Sequence, residues 1–372
     1  MGEWKLFRLE FGRNLAHFGE LGIGMESTNE MVRSDTLFSG WIGAYVRLFP
    51  DKIDELIEKF NSGNQPPFRL SSTFIYRKVG EEIIDYLPRP SYQRPLNYPP
   101  DDLEFAKEYK KLNYLPLSVW QRWYQGEGFS EEDKQELIAK AKKEETTNRQ
   151  LENAGTFDYR KGFETEKIPK IVVDRTTGAT NIYYVEFVRY QSEANGNDVN
   201  SLAGLYFLAY FSEPDFSKTF SAVLNFLGEE GMGGLRSRGA GQFTVTEISI
   251  LPNSIWHDVL NFSGGQRHGL ISLFWDNNLN LITEDEWKNS SYELLKRSGW
   301  IVASPTGVQK RRQSVQMFAE GSVFPFKPEG KLADVTPDGF TAHKVYRSGI
   351  SVSLPIKIKE EKNDNDECGK CD

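Results

Sequence analysis

Residues 4–11 alternate in polarity. Trp4, Leu6, Arg8 and Glu10 fall on one side and Lys5, Phe7, Leu9 and Phe11 on the other, which predicts a first strand with its second side inward. A glycine-rich stretch follows, Gly19-Glu-Leu-Gly22-Ile-Gly24. Leu37, Phe38, Trp41, Ile42, Tyr45, Val46 and Phe49 then recur at helical spacing behind Ser34, a residue type that suits an N-cap. A second short helix is expected over residues 51–60 and a strand over 69–78. Five prolines between residues 87 and 100 predict an extended projection outside the core. Residues 101–147 are charged and helical in character around Trp120 and Trp123, and we read 84 to about 167 as an insertion.

The pattern resumes with a strand pair, residues 168–173 and 182–190, about the turn Asp174-Arg-Thr-Thr-Gly178. Residues 202–211 read as a buried strand. Phe216, Phe220, Val223, Leu224 and Leu227 make one helix face, with Gly228 placed to end it. A glycine-rich loop over 231–241 leads into a strand over 242–251. The first 251 residues therefore reduce to β-α-β-(insertion)-β-β-α-β, a split βαβ, ferredoxin-like arrangement in an α+β chain. Beyond Pro252 the pattern is strand-rich. It includes a hairpin about Ser304-Pro-Thr-Gly307 and strands near 323–326, 344–347 and 350–356. Two domains are expected, 1–251 and 252–356, followed by a polar tail, 357–372, that reads as disordered.

Composition narrows the classes. The 372 residues are 38% hydrophobic and 13% aromatic, enough for a sizeable core. A net charge of -8 argues against a wholly basic nucleic-acid coat and leaves room for a local basic patch. The two cysteines, Cys368 and Cys371, lie in the tail, so no disulfide framework is expected, which suits a reducing cytoplasm. No signal-peptide core is seen at the start, and the apolar run 202–211 is too short to span a bilayer.

The strongest chemical signal is Gly231-Met-Gly-Gly-Leu-Arg-Ser-Arg-Gly-Ala-Gly241. Glycines allow close backbone approach, successive N–H groups can cradle an anion, and Arg236 and Arg238 offer bidentate phosphate geometry. The loop follows a helix and opens a strand, the reverse of a dinucleotide-binding fingerprint, and no P-loop sequence occurs. The competing reading is an ordinary connection. His17 reads either as a contact or structural residue or as an acid–base group. The His257-Asp258 dipeptide lacks the further ligands a metal phosphohydrolase needs, and Cys368-Gly-Lys-Cys371 is half a zinc site. No cofactor or metal is expected. Lys296, Arg297, Lys310, Arg311 and Arg312 form a basic stretch, with no acid between Leu294 and Ala319. It reads equally as a backbone-tracking surface or a solvated face.

Several of these pieces together resemble the RAMP superfamily of CRISPR proteins. The loop Gly233-Gly-Leu-Arg-Ser-Arg-Gly-Ala-Gly241 is similar to that superfamily's signature loop. His17-Phe-Gly19, Ser34-Asp-Thr-Leu-Phe-Ser39, Asp174-Arg-Thr-Thr-Gly178, Met317-Phe-Ala-Glu-Gly-Ser322 and His343-Lys-Val-Tyr-Arg-Ser-Gly349 resemble, in order, the handle-binding subunit of type III-A (Csm) complexes. The resemblance implies two ferredoxin-like (RRM-like) domains and a subunit without catalysis of its own. It would hold the 5′ handle of the crRNA and meet a large nuclease/cyclase subunit and a backbone RAMP subunit, with no membrane partner.

Phosphate contacts would fall to Gly233, Gly234, Arg236, Ser237, Arg238, Gly239 and Gly241, with His17, Arg33, Ser34 and Arg175 as supporting or base contacts. A β-hairpin thumb is expected at Tyr86, Leu87, Pro88 and Arg89. The alternative within the same superfamily is a metal-independent endoribonuclease using His17.

Overall fold

The computed structural model describes residues 2–19, 26–62, 65–99, 102–195, 198–301 and 310–358. In chain order the strands are β1 (Glu3–Glu10), β2 (Phe68–Leu70), β3 (Phe74–Val79), β4 (Glu82–Pro88), β5 (Tyr114–Pro116), β6 (Phe163–Val173), β7 (Thr180–Tyr190), β8 (Ser192–Asn195), β9 (Asp198–Ser201), β10 (Ala203–Phe211) and β11 (Thr244–Ser249). Beyond these come β12 (Arg267–Leu270), β13 (Leu294–Arg297), β14 (Val315–Phe318), β15 (Val323–Phe324), β16 (Leu332–Asp334), β17 (Tyr346–Ser348) and β18 (Ser353–Ile356). The helices are α1 (Ser34–Leu48), α2 (Ile53–Ser62), α3 (Leu103–Lys111), α4 (Leu117–Tyr124), α5 (Glu131–Lys142), α6 (Gln150–Asn153), α7 (Phe216–Glu230), α8 (Ile255–Leu260) and α9 (Glu284–Lys288). The fold is α+β with antiparallel sheets, as the hydrophobic pattern predicts.

The main sheet runs β11-β1-β10-β3-β4-β5, with β2 also paired to β10. Strand alternation puts Phe7 on the face that α1 and α7 cover. Its ring lies 5.3 Å from that of Phe220 in α7, and Trp41 of α1 stacks on Phe220 at 5.1 Å while its indole N–H donates to the Phe220 carbonyl. Arg8, one residue on, points to the other face. There it meets Asp85 of β4 at 3.2 Å, and the Trp256 indole of α8 donates to the same carboxylate at 2.8 Å. Leu6, Tyr76, Tyr206 and Leu208 are buried there as well. Neither side of this sheet is open for base stacking, so RNA would have to be met by loops and edges.

The segment 84–167 departs from its expected form. β4 and β5 are strands of the main sheet, and Tyr86, Leu87 and Pro88 are buried rather than projecting. Arg89 is held too, with its Nε donating to the Leu112 carbonyl and its guanidinium over the Tyr109 ring at 4.6 Å. Proline density marked an irregular backbone here, and irregular backbone can still be packed. The thumb assigned to Tyr86–Arg89 is therefore corrected. The helices α3, α4 and α5 do form, around a cluster of Phe105, Tyr109, Trp123 and Phe129.

The element that does project is the β6–β7 hairpin, paired residue for residue from Phe163↔Tyr190 to Val173↔Thr180. The later strands form small antiparallel sheets: β15-β12-β18, β13-β14 and β16-β17. They share the main core, which includes Trp256, Ile271, Val323, Val352 and Leu354 beside Phe7 and Trp41. Among the described residues, no helix is long and apolar enough to cross a membrane. The tip of the 304–307 hairpin, Gly22, Gly24 and the Cys368/Cys371 tail lie outside the described residues.

Candidate RNA-binding site

The loop begins where α7 stops. Gly231, not Gly228, is the C-cap, with φ of 85°. Gly228 lies inside the helix against the Phe243 carbonyl, where a Cβ would come within 2.5 Å, so its absent side chain serves packing. From Gly231 the loop folds onto the segment after β1. The Gly234 amide donates to the His17 carbonyl at 2.8 Å, the Gly241 amide to the Leu15 carbonyl at 2.8 Å, and the Met232 amide to the Gly241 carbonyl at 2.9 Å. Leu235 in left-handed conformation starts a short 3-10 turn, Arg236–Arg238, and Gly239 closes it with φ of 80°.

Gly231, Gly233 and Gly241 all need glycine, because each has a positive φ and a Cβ would sit within 2.6 Å of a backbone carbonyl oxygen. At Gly241, φ is 78° and a Cβ would sit 2.0 Å from the Met232 carbonyl oxygen. At Gly234 a Cβ would press to 2.7 Å from His17 Cδ2. Glycine here lets two backbone segments close on each other, and many loop N–H groups are used up in doing so. The amides of Gly231, Met232, Gly234, Arg238, Gly239, Ala240 and Gly241 all donate to carbonyls within the protein. The expectation of a general backbone anion cradle is narrowed accordingly. What the loop turns outward is Gly233, Ser237, Arg238 and Gly239, with Arg236 half-buried beside them.

His17 is the platform of this loop. It is 5% exposed, its Nδ1 lies 2.7 Å from the Glu186 carbonyl of β7, and its ring meets the edge of Phe187. A carbonyl can only accept, so Nδ1 carries the proton and donates. Histidine thus ties three segments together: its own, the glycine loop and β7. The bridge Ala16↔Val188 and the small cluster of Val185, Phe187 and Ala240 with Leu15 and Leu235 seat the base of the β6–β7 hairpin on the loop. The Arg238 guanidinium reaches the Tyr183 hydroxyl of that hairpin at 3.3 Å.

Arg175 lies at the far tip, exposed, in a turn whose Thr176 and Thr177 amides donate to the Asp174 carboxylate at 2.7 and 3.1 Å. Those bonds hold the Asp174 carboxyl below its ordinary value. The structure therefore joins His17, Gly233, Gly234, Arg236, Ser237 and Arg238 in one site and separates Arg175 from it by the length of the hairpin.

Ser34 and Arg33 are placed elsewhere. The N-cap of α1 is Arg33, without a side-chain cap bond, and Ser34 is the first helical residue. Ser34 is buried, its amide donating to the Ser72 hydroxyl and its hydroxyl accepting from the Leu273 amide. It is not exposed to phosphate, which corrects its assignment as an RNA contact. Arg33 pairs with Glu320, to which the Ser72 hydroxyl also donates.

Next to them Asp35 is fully buried, accepting from Arg297 Nε and Nη2 at 3.0 Å each and from Arg347. Burial alone would raise its carboxyl, but Arg297 and Arg347 outweigh this and hold it far below the carboxylate range. Three of the quoted motifs, those around Ser34, Glu320 and Arg347, thus meet in one buried charge network. Sequence reading missed this joint, and its only local sign was charge inside conspicuously apolar surroundings.

A family model for the CRISPR Csm4 C-terminal domain matches residues 263–356. Along nearly the whole chain, a curated Csm4 from Methanocaldococcus jannaschii is 23% identical, covering 93% of this chain and 95% of that protein. One from Streptococcus thermophilus is 24% identical, covering 96% and 99%. Among solved structures, a chain of the Csm3–Csm4 subcomplex of the type III-A CRISPR-Cas interference complex matches with a TM-score of 0.56 at 19% identity, over 94% of this chain and 99% of that one. A chain of a Csm1–Csm4 cassette in complex with pppApA matches with a TM-score of 0.51 at 18% identity, over 96% and 100%. The chain is similar along nearly its whole length to CRISPR proteins of the type III systems. Within them it is Csm4-like.

Proposed function

We propose that the chain is the subunit of a Csm-type effector complex that holds the 5′ handle of the crRNA, without catalysis of its own. One observation carries the reading: a glycine loop locked onto the His17 segment turns Ser237 and Arg238 outward beside Arg236. Rigid guanidinium groups on a preformed turn suit phosphodiester oxygens. The strand order β11-β1-β10-β3, with α1 and α7 on one side, supports a ferredoxin-like first domain over 1–251. A second domain over 252–356 follows in the proposal, sharing one core with the first.

The thumb role passes to the β6–β7 hairpin. Its outer face carries Ile171 and Ile182, 62% and 59% exposed, with Val173 and Tyr184 alongside. An apolar ribbon held away from the body is suited to wedge between bases or against a neighbouring subunit. The solved Csm3–Csm4 and Csm1–Csm4 assemblies support two protein partners, which we take as the backbone and large subunits implied by the resemblance.

The tight packing of His17 favours positioning over proton transfer. An affinity-tagged copy should bring down guide RNA with a single defined 5′ end. The purified chain should leave a precursor RNA intact, with or without His17→Ala. Guide RNA without a common 5′ end would contradict the handle role, and cleavage lost in His17→Ala would contradict the non-catalytic one.

A further inference from the structure

The basic stretch of the C-terminal half has a use that the glycine-loop reading does not cover. Arg312 is tied into the backbone of the segment facing it, its amide donating to the Gly299 carbonyl at 2.8 Å and its Nε to the Trp300 carbonyl at 3.2 Å. Its terminal nitrogens have no acceptor among the described residues. Burial next to Arg347 and Arg297 pushes its guanidinium down to about 10, so three like charges crowd one place. Their described counter-charge is Asp35, which Arg297 and Arg347 already share. The neighbouring Arg33 and Glu320 neutralise each other. Arg347, itself buried, keeps an Nε with no hydrogen-bond partner among the described residues. The terminal nitrogens of Arg312, set beside two further guanidiniums, suit a bound anion.

The same place offers an aromatic surface. Trp300 is 43% exposed and bridges to Arg311, which is exposed beside it. Lys296 is exposed two residues before Ser298, whose carbonyl accepts from Arg347. Phosphate-binding cations flanking an open indole are the composition of a single-stranded nucleic-acid platform, where the base stacks and the backbone is neutralised. An acidic peptide would use the cations and leave the tryptophan without a role.

We propose a second RNA contact here, resting on the RNA-holding reading: Trp300 stacks a base and Arg312, backed by Arg297 and Arg347, takes the adjacent phosphate.

The test uses the full chain in its assembled complex with a guide RNA substituted with 4-thiouridine. Crosslinking should mark a peptide containing Trp300. Trp300→Ala should weaken guide binding roughly tenfold, the scale of one lost stack. Arg312→Gln should weaken it and lower the salt-dependence slope by about 0.7, the value for one phosphate of a single strand. Trp300 is half open to solvent, so its variant should unfold at the wild-type midpoint and keeps the test valid if Arg312→Gln folds poorly. Unchanged affinity in both variants, while Arg236→Ala with Arg238→Ala weakens binding, overturns this site and leaves the handle reading standing. No effect from any of the four substitutions overturns the handle reading itself. Lost capture of a protein subunit with guide affinity intact would make the patch a protein-docking surface and overturn the RNA assignment.

Discussion

Gly241 carries more structural consequence than either arginine of its loop. Its left-handed φ and the 2.0 Å approach that a Cβ would make to the Met232 carbonyl leave no room for a side chain. Gly241→Ala should therefore cost about 1–3 kcal/mol, read by chemical denaturation, through backbone strain and a displaced loop. It should weaken guide RNA binding as well, because the loop loses its seat on Leu15 and His17.

Asp35 gives the second expectation at this scale. Asp35→Asn leaves Arg297 and Arg347 buried without their carboxylate, a loss of about 3–5 kcal/mol. The folded carboxyl titrates below its unfolded value. Its stabilisation is therefore full above the ordinary carboxylate range and fades as pH falls from there toward the lowered folded value. The stability gap between wild type and Asp35→Asn should be flat from about pH 5 to 8 and narrow below about pH 4. A gap that widens in acid would contradict the ion-pair assignment.

At the scale of elements, the β6–β7 hairpin separates folding from function. Its base is buried through Val185, Val188 and Tyr190, while Ile171 and Ile182 stand in solvent. Ile171→Ser with Ile182→Ser should change unfolding free energy by under about 0.5 kcal/mol each and yet impair assembly with the guide or the neighbouring subunit. Differential scanning and pull-down on the same preparation would check both halves of that statement.

The hairpin also shows what a sequence can disclose. Its strands and the Asp174–Gly178 turn were legible because pairing there is local and the turn chemistry is explicit. The first strand, α1, α7 and the glycine loop were legible for the same reason, since periodicity and loop composition act over a few residues. β4 was not: five prolines nearby suggested a projection, and only pairing with β3 and β5 buries Tyr86 and Leu87. Ser34 failed similarly. A serine before an amphipathic helix is a sound N-cap signal, but its hydroxyl is claimed by the amide of Leu273, which lies far along the chain.

At the scale of the whole molecule, charge is sorted by place. The net charge is -8, yet the stretch from Leu294 to Ala319 holds no acid. Both faces of the main sheet are closed, one by α1 and α7, the other by Trp256 and the buried Arg8–Asp85 pair. The surfaces that the proposed role assigns to RNA are the glycine loop, the hairpin raised from it and the Trp300–Arg312 patch. The Asp35 network joins α1 to the C-terminal strands through Arg297 and Arg347, contacts that span more than 260 residues of sequence. No local pattern could have shown that joint, although the ordered motifs around it carried the resemblance to the family.

The most direct measurement is guide RNA affinity of the assembled complex as a function of salt, for the wild type and for Arg236→Ala with Arg238→Ala. Two lost phosphate contacts on a single strand should lower affinity and reduce the slope of log affinity against log salt by about 1.4. An unchanged affinity and an unchanged slope would contradict the claim that this loop holds the handle.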